Sequence, residues 1–91
     1  MERRIHHCIG GPPGSLPCRE RPVWGVLVRR FDAEGRPWVE ALAVCAAHLR
    51  PTRAWQGAIH HQVQIVPLAT MRGDVRRALP PAWVRLDLRW R

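Results

Sequence analysis

The chain contains no lysine, no tyrosine and no asparagine, and only one serine and one phenylalanine. Lys, Asn and Tyr are read from AT-rich codons. Their joint absence is what a GC-rich coding sequence leaves, a simpler source for an all-arginine basic set than selection for guanidinium chemistry. No apolar run approaches the roughly 18–20 residues that span a bilayer. The opening Met-Glu-Arg-Arg-Ile-His-His-Cys lacks the apolar stretch of a secretory signal. A soluble, cytoplasmic protein is the expectation. The inventory for catalysis is thin. Ser15 lies in a Pro-rich stretch with no Gly-x-Ser-x-Gly elbow, and no pair of carboxylates stands out for acid–base work. Cys45 and His48 would make a thiol–imidazole dyad, but no third residue is placed to orient it. The glycines at 10–14 precede no Gly-Lys-Ser/Thr, so they are no phosphate loop. Neither an enzyme nor a small-molecule substrate is expected.

What is present reads as one small globular domain over residues 1–91, 46% hydrophobic and 24% charged, near the lower size limit for a self-sufficient core. Fifteen basic residues against seven acidic give +8, a charge that attracts phosphates and acidic surfaces. Residues 70–91 carry six Arg and two Asp, hence +4, half of the total. Three cysteines are an odd number and make no disulfide framework in a reducing compartment. A domain this small often needs a staple, and in the cytosol the usual one is zinc.

Residues 1–20 are rich in Pro and Gly and read as an irregular loop. Residues 22–31 have the β-branched and aromatic content of a strand; Asp32-Ala-Glu-Gly35 is a turn; Trp38 to Val44 returns as a second strand. Pairing Phe31 with Arg36 sets Trp24, Val26 and Val28 beside Ala43, Ala41 and Val39 on an apolar face. The opposite face then holds Arg29 across from Trp38 and near Glu40. Cys45-Ala-Ala-His48 opens a helical turn or short helix interrupted at Pro51. Residues 62–69 form a third strand, at an edge because of Pro67, and Thr70 to Leu79 a brief helix. Along 82–90, Val84, Leu86, Leu88 and Trp90 alternate with Trp83, Arg85, Asp87 and Arg89, which reads as a half-buried strand. The expected fold is α+β: an antiparallel sheet with one or two short helices. A joint near 50–60 separates a zinc-binding part (1–50) from a basic C-terminal part (60–91).

The hairpin brings cysteines together. Cys18 lies just before its first strand and Cys45 just after its second, and His48 follows Cys45 on the same helical face. Two thiolates and an imidazole in one small volume suit tetrahedral Zn²⁺. Cys8 is the natural fourth ligand, and His6 or His7 is the alternative. Read blandly, Cys45 is a small buried hydrophobe and His48 a helix-end surface residue. His60 and His61, with no cysteine or carboxylate near them, read as an exposed loop.

Cys8-x9-Cys18-x3-Pro22, a hairpin and then Cys45-x2-His48 resembles the small zinc fingers of the treble-clef or zinc-ribbon type, over residues 8–50. In these a loop knuckle supplies two ligands, a hairpin follows, and a Cys-x2-His or Cys-x2-Cys pair opens the next helix. The second pair matches; the first is more widely spaced than the usual knuckle. The resemblance implies a fold and a structural metal, and a module that binds DNA, RNA or protein.

Trp83, Arg85 and Arg89 share a strand face in this reading, an arrangement suited to phosphate contacts beside a stacking ring, with Arg76 and Arg77 close in sequence. Nucleic acid is the expected partner. The alternative is an acidic protein surface, since Trp and Arg are also the commonest interface anchors.

Overall fold

A computed structural model describes residues 8–9, 18–59, 62–72 and 75–91. It is an α+β fold built on a four-stranded sheet of order β3-β1-β2-β4. The strands are β1 (Trp24–Phe31), β2 (Pro37–Val44), β3 (Val63–Pro67) and β4 (Asp87–Trp90). Helix α1 (Ala46–Ile59) joins β2 to β3. A short helix α2 (Leu68–Arg72) and two 3-10 turns (Val75–Ala78 and Pro81–Trp83) carry the chain from β3 to β4.

The hairpin forms where the sequence places it, one residue out of the expected register. Phe31 pairs with Pro37, not Arg36, and Trp24 pairs with Val44. The turn is the cause. Asp32 N–H donates to Arg36 C=O at 2.9 Å and Gly35 N–H to Asp32 C=O at 3.0 Å, with Gly35 at φ 80°. This is a three-residue loop closed by a glycine in the left-handed region, which inserts one more residue than a tight turn. Asp32 Oδ1 holds it by accepting the N–H of Glu34 at 2.9 Å and of Arg36 at 2.8 Å.

A slip of one residue exchanges the faces of β2 relative to β1. Trp24, Val26 and Val28 now share a face with Val44, Leu42 and Glu40, while Leu27 shares the other with Ala43, Ala41 and Val39. Both faces are therefore buried, where the sequence reading had one apolar and one polar. On one, Val26, Val28, Leu42 and Val44 pack with Cys8, Cys45 and Leu49 of α1. On the other, Leu27, Val39, Ala41, Ala43 and Val66 pack with Leu68, Met71, Leu79 and Trp83. The sheet is the middle of three layers. Gly25 allows the second contact: a Cβ there would lie 2.7 Å from Met71 Cγ.

The C-terminal half departs further from expectation. The sheet is mixed, because β4 runs parallel to β2, with Trp38 beside Asp87 and Ala41 beside Trp90. Parallel pairing needs a crossover, and α2 with the two 3-10 turns supplies it, laying Leu68, Met71, Leu79 and Trp83 across the second face. The strand expected over 82–90 is only Asp87–Trp90, preceded by a 3-10 turn. The third strand stops at Pro67, where α2 begins, so the helix expected from Thr70 to Leu79 is split into α2 and a 3-10 turn. Helix α1 runs uninterrupted through Pro51 for 14 residues. Pro51 removes one N–H from its second turn. Burial of Thr52 and Gln56, together with the packing of Leu49 against the sheet core, holds the helix regardless, although the buried Gln56 amide has no hydrogen-bond partner among the described residues. Among the described residues no helix is long and apolar enough to cross a membrane.

Candidate metal centre

Cys8, Cys18, Cys45 and His48 meet at the base of the hairpin, and their four ligand atoms lie within 4.8 Å of one another. Each arrives by a different local device. Cys45 is the residue between β2 and α1, so the strand aims it and the helix starts from it. The first turn of α1 has no acidic residue; the His48 backbone N–H donates to the Cys45 C=O at 3.2 Å, closing the first turn onto Cys45. His48, in the third helical position, turns its ring back so that Nδ1 is 3.3 Å from Cys45 Sγ.

Cys18 enters from the segment leading into β1, its Sγ 3.9 Å from that of Cys45. Cys8 is carried by backbone pairing. Its N–H donates to Glu20 C=O at 3.0 Å, and Ile9 N–H donates to Ala43 C=O at 3.0 Å. The second bond has a topological reason. Strand β4 covers the edge of β2 only as far as Ala41, whose C=O accepts Arg91 N–H at 2.9 Å. Ala43 offers the next carbonyl on that edge, and the N-terminal segment takes it. Cys8 is thereby buried, its Sγ 3.5 Å from His48 Nδ1.

The distances can be compared with a metal's demands. Bonds of about 2.3 Å to sulfur and about 2.0 Å to nitrogen give a tetrahedron with S···S edges of about 3.8 Å and S···N edges of about 3.5 Å. The observed 3.9, 3.5 and 3.3 Å match these within about 0.2 Å. A disulfide would need sulfurs at about 2.05 Å, and all three cysteines are thiols. The donor set of three soft sulfurs and one imidazole suits Zn²⁺ over Mg²⁺ or Ca²⁺, which want oxygen. Ligation through Nδ1 requires the His48 tautomer protonated at Nε2.

The electrostatics favour thiolate. Burial pushes the Cys45 thiol up, but hydrogen bonds from the His48 backbone N–H, the His48 ring, Cys8 and Cys18 outweigh it and bring it from 9.0 to about 7. Cys8 and Cys45 are buried, whereas Cys18 and His48 are half-buried. The centre therefore has a dry side against the Val26–Leu42–Val44 core and a side toward solvent.

Four residues expected to hold a metal are thus brought together. His6 and His7, the alternative fourth ligands, and His60 and His61 lie outside the described residues. The expected nucleic-acid residues are not brought together. Trp83 is in a 3-10 turn, not on a strand, and is 3% exposed in the core beside Leu79 and Met71. It presents no ring for stacking, which corrects the shared strand face with Arg85 and Arg89. The apolar crossover needs a large side chain to fill the space under it, and Trp83 is that residue. Arg76 and Arg77 are exposed on the preceding 3-10 turn, where Arg76 Nη1 donates to Val84 C=O. Arg85 is exposed in the turn before β4.

Arg89 lies on β4, its guanidinium 4.9 Å from the centre of the Trp38 ring and its Nε 2.8 Å from Asp87 Oδ2. The cluster expected around Trp38 and Glu40 exists, with Arg30 in place of Arg29 because of the register. Arg30 is 5.9 Å from the Trp38 ring centre and 3.1 Å from Glu40 Oε1. Arg91 reaches the same oxygen at 2.8 Å. Its part in this cluster had no signal in the sequence, since the parallel pairing of β4 creates it.

No family model matches the chain, and no curated protein or solved structure matches it significantly. Its own geometry therefore carries the assignment: three cysteines and a histidine lie within metal-binding distance and could hold a metal ion.

Proposed function

We propose that this chain is a non-enzymatic zinc-binding module in which Zn²⁺ on Cys8, Cys18, Cys45 and His48 has a structural role, and that its basic surface binds nucleic acid. The observation that carries the reading is that four donors from three separate segments lie within 4.8 Å of one another, three of their separations being 3.9, 3.5 and 3.3 Å, close to the edges of a zinc tetrahedron. A ligand ahead of a hairpin, with a Cys-x2-His pair opening the helix after it, also supports the likeness to treble-clef and zinc-ribbon fingers.

Nucleic acid is preferred to an acidic protein on two grounds. Three arginines, Arg30, Arg89 and Arg91, gather around Trp38 and Glu40. Among the described residues the exposed large hydrophobics are Val23 and Phe31, at opposite ends of β1 and about 25 Å apart at the usual strand rise. They form no contiguous apolar patch of the kind that docks a protein.

The metal test is elemental analysis of protein purified under reducing conditions, followed by cobalt substitution. One zinc per chain is expected, and a tetrahedral Co²⁺ spectrum whose sulfur-to-metal absorption falls by about a third in Cys8→Ser. An undiminished band in Cys8→Ser would remove Cys8 from the ligand set. Metal-free protein at full yield and full solubility, with no zinc uptake, would overturn the reading.

A further inference from the structure

On the first sheet face, the end farthest from the metal centre is polar. Trp38, at the start of β2, is half-buried between guanidiniums from two neighbouring strands: Arg30 of β1 at 5.9 Å and Arg89 of β4 at 4.9 Å. Two residues along β2, the single oxygen Glu40 Oε1 accepts one N–H from Arg30 at 3.1 Å and one from Arg91 at 2.8 Å. Three guanidiniums against Glu40 and Asp87 leave this face with net positive charge, within a chain of +8.

The arginines are held rather than merely present. Arg30 and Arg91 are tied to Glu40 and Arg89 Nε to Asp87 Oδ2. Arg30 and Arg89 also lie within cation–π range of the Trp38 ring, so these side chains sweep less freely through solvent. Each guanidinium has five N–H donors, and Glu40 takes one apiece from Arg30 and Arg91. The remaining edges are planar forks matched to phosphate oxygens. Because the geometry is already set, little side-chain entropy remains to be lost on binding. Glu40, with its side chain only 10% exposed, serves as an anchor beneath the arginines more than as a competitor above them.

We propose that this face, Arg30, Arg89 and Arg91 arranged by Trp38 and Glu40, is the phosphate-contacting surface for a single-stranded nucleic acid; the inference rests on the nucleic-acid reading above. Charge complementarity selects the occupant. Arg30 comes from β1, Arg89 from β4 and Arg91 from the residue just after β4, on either side of β2, so the three span about 10 Å across the sheet surface. A flexible strand can follow such a surface, whereas duplex recognition uses an element that enters a groove. Trp38 acts as a positioning residue for the guanidiniums. Base stacking is not its task, since both ring contacts are with arginine.

The test is fluorescence anisotropy of labelled oligothymidylate at physiological salt, using folded, zinc-loaded full-length protein. Arg30→Lys with Arg89→Lys keeps the charge and loses the fork and the stacking; affinity should fall by about tenfold. Arg89→Ala with Arg91→Ala should make the log–log salt slope shallower by about 1.4, at about 0.7 per phosphate on a single strand. Arg53→Ala, exposed on α1 outside the cluster, removes a charge and should leave that slope nearly unchanged. Melting temperature and zinc content confirm that each variant is folded. Wild-type protein that retains no oligonucleotide overturns the nucleic-acid reading and this surface with it. Wild-type binding that the double Lys variant matches, or that Arg53→Ala weakens as much as Arg89→Ala with Arg91→Ala, overturns the surface alone. Duplex bound as tightly as single strand, with the same variant losses, overturns the choice of occupant.

Discussion

Removing zinc should lower the melting temperature by tens of degrees without erasing the fold, and the structure says which part goes first. A chain of 91 residues has a total stability of about 5–14 kcal/mol. Structural zinc sites bind with about 10–16 kcal/mol. Taking about 12 kcal/mol, the Kd is about 1 nM, so about 1 µM free zinc is a thousandfold excess. That excess stabilises the folded state by about 4 kcal/mol, or about 16–30 °C for a domain of this size. Both hydrophobic layers survive metal loss, because Leu27, Val39, Leu42 and Val44 are buried by sheet, α1 and crossover. Cys8 and Ile9 are different. Two backbone hydrogen bonds, to Glu20 ahead of β1 and to Ala43 of β2, hold them in place, and a bound metal would be the third attachment. Scanning calorimetry with zinc and with chelator measures the shift; hydrogen exchange locates it. The Ile9 amide should lose protection on chelation while the Leu27 amide keeps it. Equal melting temperatures, or an Ile9 amide still protected in chelator, would refute a structural role for the metal.

Three further outcomes follow from the same geometry. In metal-free protein the Cys45 thiol is lowered from 9.0 to about 7, so the unfolded chain binds the proton between those values and the folded one does not. This group's contribution to stability should therefore be fully present above about pH 9 and be lost as pH drops through 7, a difference that urea midpoints read and that should shrink in Cys45→Ser. Gly25→Val should cost about 1–3 kcal/mol, because even its Cβ meets Met71 Cγ at 2.7 Å; adding Met71→Ala should recover part of that in the same urea series, and strictly additive losses would rule out the contact. Trp83→Ala should cost about 3–5 kcal/mol in melting experiments and leave oligonucleotide affinity of the folded protein unchanged, since the ring is 3% exposed in the core.

The sequence alone determined the parts of this protein that depend on neighbours in the chain. The β-branched and aromatic content of residues 22 to 44, broken by Asp32 and Gly35, specifies a hairpin whatever surrounds it. A hairpin with a cysteine at each end, followed by histidine one helical turn on, must bring Cys18, Cys45 and His48 together. Cys8 was legible only as the remaining thiol; its path to the site depends on an edge of β2 that β4 leaves open.

The tertiary structure decided what depends on distant segments. A bulged turn and a tight turn differ by one residue and look alike in sequence, yet the difference moved Glu40 and Arg30 to one face and buried both sides of the sheet. The alternation over 82–90 was misleading for a related reason. Trp83 and Val84 show the period of a strand but lie in a crossover, whose conformation is set by the face it must cover. Parallel pairing of β2 and β4 has no local signature, because it joins residues about fifty positions apart. The arginines beside Trp38 exist as a group only through that pairing. Local pattern reaches as far as a hairpin or a helical turn; which strands become neighbours is settled by how the whole chain buries its apolar surface.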